Sequence, residues 1–194
     1  KDVDYALRNP LSKAVTQIEP SGIRKFFDLL ATMNDAISLG VGEPDFVTPW
    51  AIREAGIYSL EKGQTYYTSN SGILELREEI SRYLNRKYNL SYNPNNEVLV
   101  TVGGSEAIDL AIRALITPGD EVLIPEPSFV CYKPCTQLAG GVAVTIKTKE
   151  ENEFRLTKDE LLSHITPKTK LLILPYPNNP TGAIMTRSDL EEIA

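Results

Sequence analysis

Between Glu97 and Ala194 the chain alternates four times between short apolar runs and stretches of helical period, and this constrains its fold more than any other feature. Val98–Val102, Val122–Ile124, Val142–Ile146 and Lys170–Leu174 read as strands. Helices are predicted after each: from Ser105 to Ile116, from about Phe129 to Ala139, from the capping box Thr157-x-x-Glu160, and from Thr186-x-x-Asp189. Strands joined through helices pair in parallel, because a crossover needs a dozen or more residues to return to the same edge. The pattern predicts an α/β fold in three layers, a mostly parallel sheet with helices on both faces. Thr117-Pro118-Gly119-Asp120 has the composition of a type II turn. The helix from Ser105 is apolar almost all round, relieved by Asp109 and Arg113, and is expected to be deeply buried.

Before Glu97 the signals are less regular. Residues 1–20 are polar, with prolines at 10 and 20, and read as an arm. Ile23, Phe26, Phe27 and Leu30 recur at helical spacing, predicting a helix over about 22–33, and Ala36–Leu39 suits a short strand. Thr48-Pro49 opens a helix that Lys62-Gly63 ends. A polar loop with Tyr66 and Tyr67 leads to a longer helix from Ser71 to about Tyr88, in which Glu78 and Arg82 form an i,i+4 pair.

Composition excludes some partners. Twenty Lys and Arg stand against 26 Asp and Glu, a net charge of −6 spread along the chain, which gives no footing for nucleic acid. The two cysteines, Cys131 and Cys135, lie four apart in a predicted helix, and His164 is the single histidine, so no zinc-type spacing can be built. Few thiols suit a reducing compartment, and no signal-like or membrane-length apolar stretch is present, so a soluble cytoplasmic protein is expected.

Ligands of open α/β sheets bind beyond the carboxyl ends of strands, and polar loops stand at three predicted tips here. Gly103-Gly104-Ser105-Glu106 joins a strand to a helix and offers the unpaired N–H groups of a first helical turn, a corner suited to phosphate. Glu126-Pro127-Ser128-Phe129 puts an aromatic ring at the next tip, and Asn178-Asn179-Pro180-Thr181-Gly182 adds amides at a third. Singly, these are a helix cap, a core ring and a turn. Together they describe a pocket for a phosphorylated aromatic ring. Gly40-Val41-Gly42-Glu43-Pro44-Asp45 is a plain turn, or one in which Gly42 exposes its N–H to a ligand carboxylate.

In order and spacing the chain resembles the class I/II aminotransferases, pyridoxal-phosphate enzymes of fold type I. The matching pieces are Ser21-Gly22-Ile23-Arg24-Lys25-Phe26, Gly40–Phe46, Tyr67 five residues before Gly72, Gly103-Gly104-Ser105, Pro127-Ser128-Phe129 and Asn179-Pro180-Thr181-Gly182. The resemblance implies that Gly104, Ser105 and Glu106 hold the phosphate of pyridoxal 5'-phosphate through backbone N–H groups and the serine hydroxyl. Phe129 stacks on the ring, where many relatives carry Tyr or Trp. Asn179 donates to the cofactor's 3-oxygen, Gly42 meets the substrate carboxylate, and Tyr67 reaches the phosphate of the neighbouring subunit in a homodimer. It further implies cis peptides before Pro127 and Pro180. Residues 1–45 would be the arm and a small-domain segment, and 46–194 the first half of the large cofactor-binding domain.

In this family the Schiff-base lysine, the aspartate facing the ring nitrogen and the carboxylate-clamping arginine follow the Asn-Pro-Thr-Gly motif, and so lie beyond Ala194. The chain is accordingly expected to be the N-terminal half of an enzyme moving an amino group between an amino acid and a 2-oxo acid. By itself it is expected to be inactive, with part of its apolar surface uncovered. Two alternatives share the same motifs: a C–S β-lyase, and a non-enzymatic cofactor-sensing domain of a regulator. The latter needs a fused DNA-binding region, of which residues 1–20 show no basic signature.

Overall fold

A computed structural model describes residues 10–19, 33, 42 and 44–194. The strand expected over 36–39 and, apart from Met33, the helix expected over 22–33 lie outside the described residues. The chain divides into two compact units, Lys1–Ser21 with Val102–Ala194, and Gly22–Thr101.

The first unit is built on three parallel strands, β1 (Glu121–Glu126), β2 (Val142–Lys147) and β3 (Thr169–Leu172), in the order β2-β1-β3. Central β1 pairs Ile124 with Thr145 of β2 and Leu123 with Leu172 of β3, and the register with β3 shifts between Glu121 and Val122. Flanked on both sides, β1 buries Val122, Leu123, Ile124 and Pro125. That explains its near-continuous apolar sequence, since a parallel strand covered on both faces has no polar side to alternate with.

Successive residues of β1 feed opposite faces. Val122 and Ile124 pack with Ile112 and Ile116 of α4 (Gly103–Leu115) and its C-terminal cap, joined by Tyr132 and Cys135 of α5 (Tyr132–Leu138). Leu123 packs with Ile146, Leu156 and Leu161 on the other face, joined by Ile193; Leu161 belongs to α6 (Lys158–Leu162) and Ile193 to α7 (Arg187–Ile193). Each such burial contributes about 1.5–3 kcal/mol. The result is the predicted three-layer α/β arrangement. Both predicted helix starts form capping boxes: Thr157 with Glu160 at α6, and Thr186 with Asp189 at α7. The turn before β1 closes through Asp120 N–H to the Thr117 carbonyl at 3.0 Å, with Gly119 at φ 97°. Earlier in this unit, Ser12 caps a single turn, α1 (Lys13–Thr16).

The second unit contains α2 (Trp50–Glu61), with Pro49 at its N-cap, and α3 (Leu74–Tyr88). Arg82 pairs with Glu78 at 3.8 Å and with Glu79 at 2.8 Å. Buried Arg77 donates from Nε to the Gly72 carbonyl at 3.1 Å and from Nη1 to the Pro94 carbonyl, fixing both ends of the connection around α3.

Several expectations fail. Val98–Val102 is not a strand: the Val100 N–H donates to the Ser71 carbonyl at 3.0 Å, and no strand runs beside it among the described residues. Its β-forming residues lack the neighbour that a ladder requires. Nor is α4 deeply buried. Ile112 is its one buried residue, whereas Leu110 and Leu115 are 41% and 51% exposed, because the sheet covers a single face of the helix. Helix α3 begins at Leu74 rather than Ser71, since Gly72 at φ 94° cannot join a right-handed helix. Helix α5 starts at Tyr132 and leaves Phe129 in the preceding loop.

Candidate functional site

The loop after β1, the loop after β3 and the start of α4 surround a cleft of about 520 Å³. Gly104, Ser105, Phe129, Tyr132, Tyr176 and Asn179 are among its lining residues. Four residues singled out in the sequence, Gly104, Ser105, Phe129 and Asn179, are thereby brought together from three separate stretches of chain. Phe129 stands edge-on to Tyr132, with centroids 6.0 Å apart at 81°. It also borders a second cleft of about 350 Å³ with Ile18, Glu126 and Lys133.

The start of α4 has the chemistry of an anion site. Val102 at its N-cap makes no side-chain cap hydrogen bond, and the helix dipole places partial positive charge at this end. Alanine-sized space is open around Gly104. Glu106 is in the same turn, and its carboxylate folds back to accept from the Val102 N–H.

Asn179 is exposed, whereas its neighbour Asn178 is 7% exposed and ties the site together. Its Nδ2 donates to the Pro127 carbonyl at 2.8 Å and to Thr181 Oγ1 at 2.9 Å, while its backbone closes the loop on Gly182 and Ala183, both at 2.8 Å. Tyr176 anchors the loop from behind: its hydroxyl donates to the Phe154 carbonyl and accepts from the Leu156 N–H, each at 2.9 Å. Burial raises the Tyr176 pKa, so the hydroxyl keeps its proton. The peptide bonds before Pro127 and Pro180 are cis, and so is the one before Pro177, which was not expected.

Asn178 belongs to the amide-bearing loop seen in the sequence, but neither it nor Tyr176 has an individual role there. The Asn-Asn doublet was a visible signal, but which amide turns inward depends on a carbonyl 51 residues away.

Gly42 and Tyr67 belong to the second unit, where both are exposed. Cys131 and Cys135 are free thiols, Cys131 raised in pKa by burial and Cys135 pushed up to about 11 by burial and then by the neighbouring Cys131. Both stay protonated near neutrality, which makes them poor nucleophiles. His164 follows α6, with Nδ1 2.8 Å from the Glu160 carbonyl. Among the described residues no group of three or more His, Cys, Asp or Glu could hold a metal ion, and no helix is long and apolar enough to cross a membrane.

A helix start with a serine hydroxyl, an aromatic ring after β1 and an exposed amide after β3 line one cleft of an α/β domain. The chain belongs to the class I and II aminotransferases, whose family model matches residues 34–194. It is 55% identical over 184 residues to the putative aminotransferase YugH of Bacillus subtilis, covering 95% of this chain and 48% of that protein. It is 48% identical to an aspartate aminotransferase of Pyrococcus abyssi, covering 95% of this chain and 47% of that one. The solved structure of Thermus thermophilus aspartate aminotransferase with maleate superposes with a TM-score of 0.88 at 37% identity, covering 96% of this chain and 50% of that one. The chain thus spans about half the length of the curated relatives it matches.

Proposed function

We propose that the full-length protein transfers an amino group between an amino acid and a 2-oxo acid with pyridoxal 5'-phosphate bound in the cleft at the strand tips. The observation that carries this is the convergence of Gly104, Ser105, Phe129 and Asn179 on one cleft. The residues fit the cofactor: an uncapped helix start suits a phosphate, an aromatic ring suits a pyridine, and an amide suits a phenolic oxygen. When bound, that cofactor supplies an electron sink for the substrate's α-carbon.

The chain's own residues bind and orient. The first-turn N–H groups of Gly104, Ser105 and Glu106, with the Ser105 hydroxyl, hold the phosphate against the positive end of α4. Phe129 covers the ring and keeps water from that face. Asn179 donates to the 3-oxygen and favours its deprotonated form. In a homodimer, Tyr67 serves the phosphate of the neighbouring subunit and Gly42 the substrate carboxylate, with residues 1–45 in a small domain and 46–194 opening the large one. The names of its relatives point to aspartate or an aromatic amino acid as donor. Two unbridged cysteines accord with work in the cytoplasm.

The test is spectroscopic. Full-length protein reconstituted with pyridoxal phosphate is expected to show a visible absorbance band that shifts when an amino acid is added, and Ser105→Ala is expected to weaken cofactor retention. A wild-type protein with no such band overturns the proposal.

A further inference from the structure

Asn178 is the best-buried polar side chain at the cleft's edge, yet it does not line the cleft. Both hydrogens of its Nδ2 are used, one on the Pro127 carbonyl of the loop after β1 and one on Thr181 of its own loop. A carbonyl can only accept, so the amide has one possible orientation, with nitrogen toward Pro127. Its Oδ1 is buried and takes no hydrogen bond from the described residues. The donor end of this amide is therefore what the structure uses. Pro127 lies two residues before Phe129, and Asn178 directly precedes Asn179. One side chain thus spans the two loops that carry the ring and the exposed amide.

We infer that Asn178 is a positioning residue: it sets the separation of Phe129 from Asn179, and through it the strength of the Asn179 hydrogen bond to the ligand's ring oxygen. This rests on the proposed reading of the cleft, in which Asn179 favours the deprotonated 3-oxygen. A tether that only held the fold would leave that oxygen's proton affinity alone. A tether that places Asn179 alters it when cut.

The experiment uses full-length protein loaded with pyridoxal phosphate, following the pH midpoint of the bound cofactor's visible absorbance together with its rate of loss on dialysis. Asn179→Ala, the direct lesion, is expected to raise the midpoint. Asn178→Ala is expected to raise it in the same direction by a smaller amount, on the order of half a pH unit, and to speed cofactor loss several-fold. Thr181→Val removes one of the two Nδ2 partners and serves if Asn178→Ala does not fold; a smaller rise in midpoint is expected. If Asn179→Ala moves the midpoint while Asn178→Ala, or Thr181→Val in its place, leaves it at the wild-type value, the inference is overturned and the reading of the cleft stands. If wild type shows no band, or Asn179→Ala shifts nothing, the reading of the cleft falls and takes the inference with it.

Discussion

Replacing Gly72 with alanine sets two separable penalties on the loop that carries Tyr67. Gly72 has φ 94°, where an L-residue is strained by about 1–2 kcal/mol. A Cβ built there stands 2.7 Å from Val100 Cβ and 2.8 Å from its Cγ2, well inside van der Waals contact. The nearest atom is the root of a side chain, so rotating χ1 cannot clear it. Moving Val100 bodily would stretch its N–H bond to Ser71, now 3.0 Å. Crowding of this kind costs about 1–3 kcal/mol, which brings Gly72→Ala to about 2–5 kcal/mol in all. Gly63 is the control, since at φ 68° it has open space around a built Cβ and carries the dihedral penalty alone. Urea midpoints of the two variants, with hydrogen exchange at Val100 as the local readout, test the separation. Gly72→Ala is expected to exceed Gly63→Ala by about 1–3 kcal/mol and to speed Val100 exchange at least tenfold. Equal midpoints and an unchanged Val100 would refute the steric argument.

Three further outcomes are expected. Thr157→Ala removes the hydroxyl that accepts from the Glu160 N–H at 3.3 Å and should cost about 1 kcal/mol in denaturant unfolding. With Cys135 pushed up to about 11, its alkylation by iodoacetamide in native protein at pH 8 should run about 200-fold slower than in denatured protein and accelerate as pH rises toward that value. The Thr117 N–H and hydroxyl hold the Asp120 carboxyl below its usual range. The stabilisation it gives is therefore present above its unfolded pKa of about 3.9 and lost as pH falls through the lower folded value. The stability gap between wild type and Asp120→Ala, read from thermal melts, should be level above about pH 5 and shrink below about pH 4.

Much of the first unit was legible because its signals are local. The apolar runs around Leu123 and Ile146, the two Thr capping boxes and the Pro118-Gly119 turn each need only a few neighbouring residues to act. What failed depended on distant partners. Val98–Val102 has strand composition, but composition does not provide a second strand. The apolar circumference of α4 does not say which face meets the sheet, and just one does. Ser105, Phe129 and Asn179, which the sequence picks out through motifs at predicted strand tips, line one cleft, although no strand precedes Ser105 among the described residues. The roles of Asn178 and Tyr176 were not legible because their partners, Pro127, Phe154 and Leu156, are brought near only by the folded sheet.

The strand order carries a consequence of its own. From β1 the chain winds outward to β2, then reverses across β1 to reach β3. The helix between β1 and β2 packs on one face of the sheet and the helix between β2 and β3 on the other. Where winding changes direction, the loops leaving β1 and β3 part company and open a crevice. The cleft is thus a by-product of chain routing rather than of any side chain that lines it. Its position should survive wholesale exchange of Phe129, Ser105 or Asn179, leaving those residues free to decide which ligand the crevice holds.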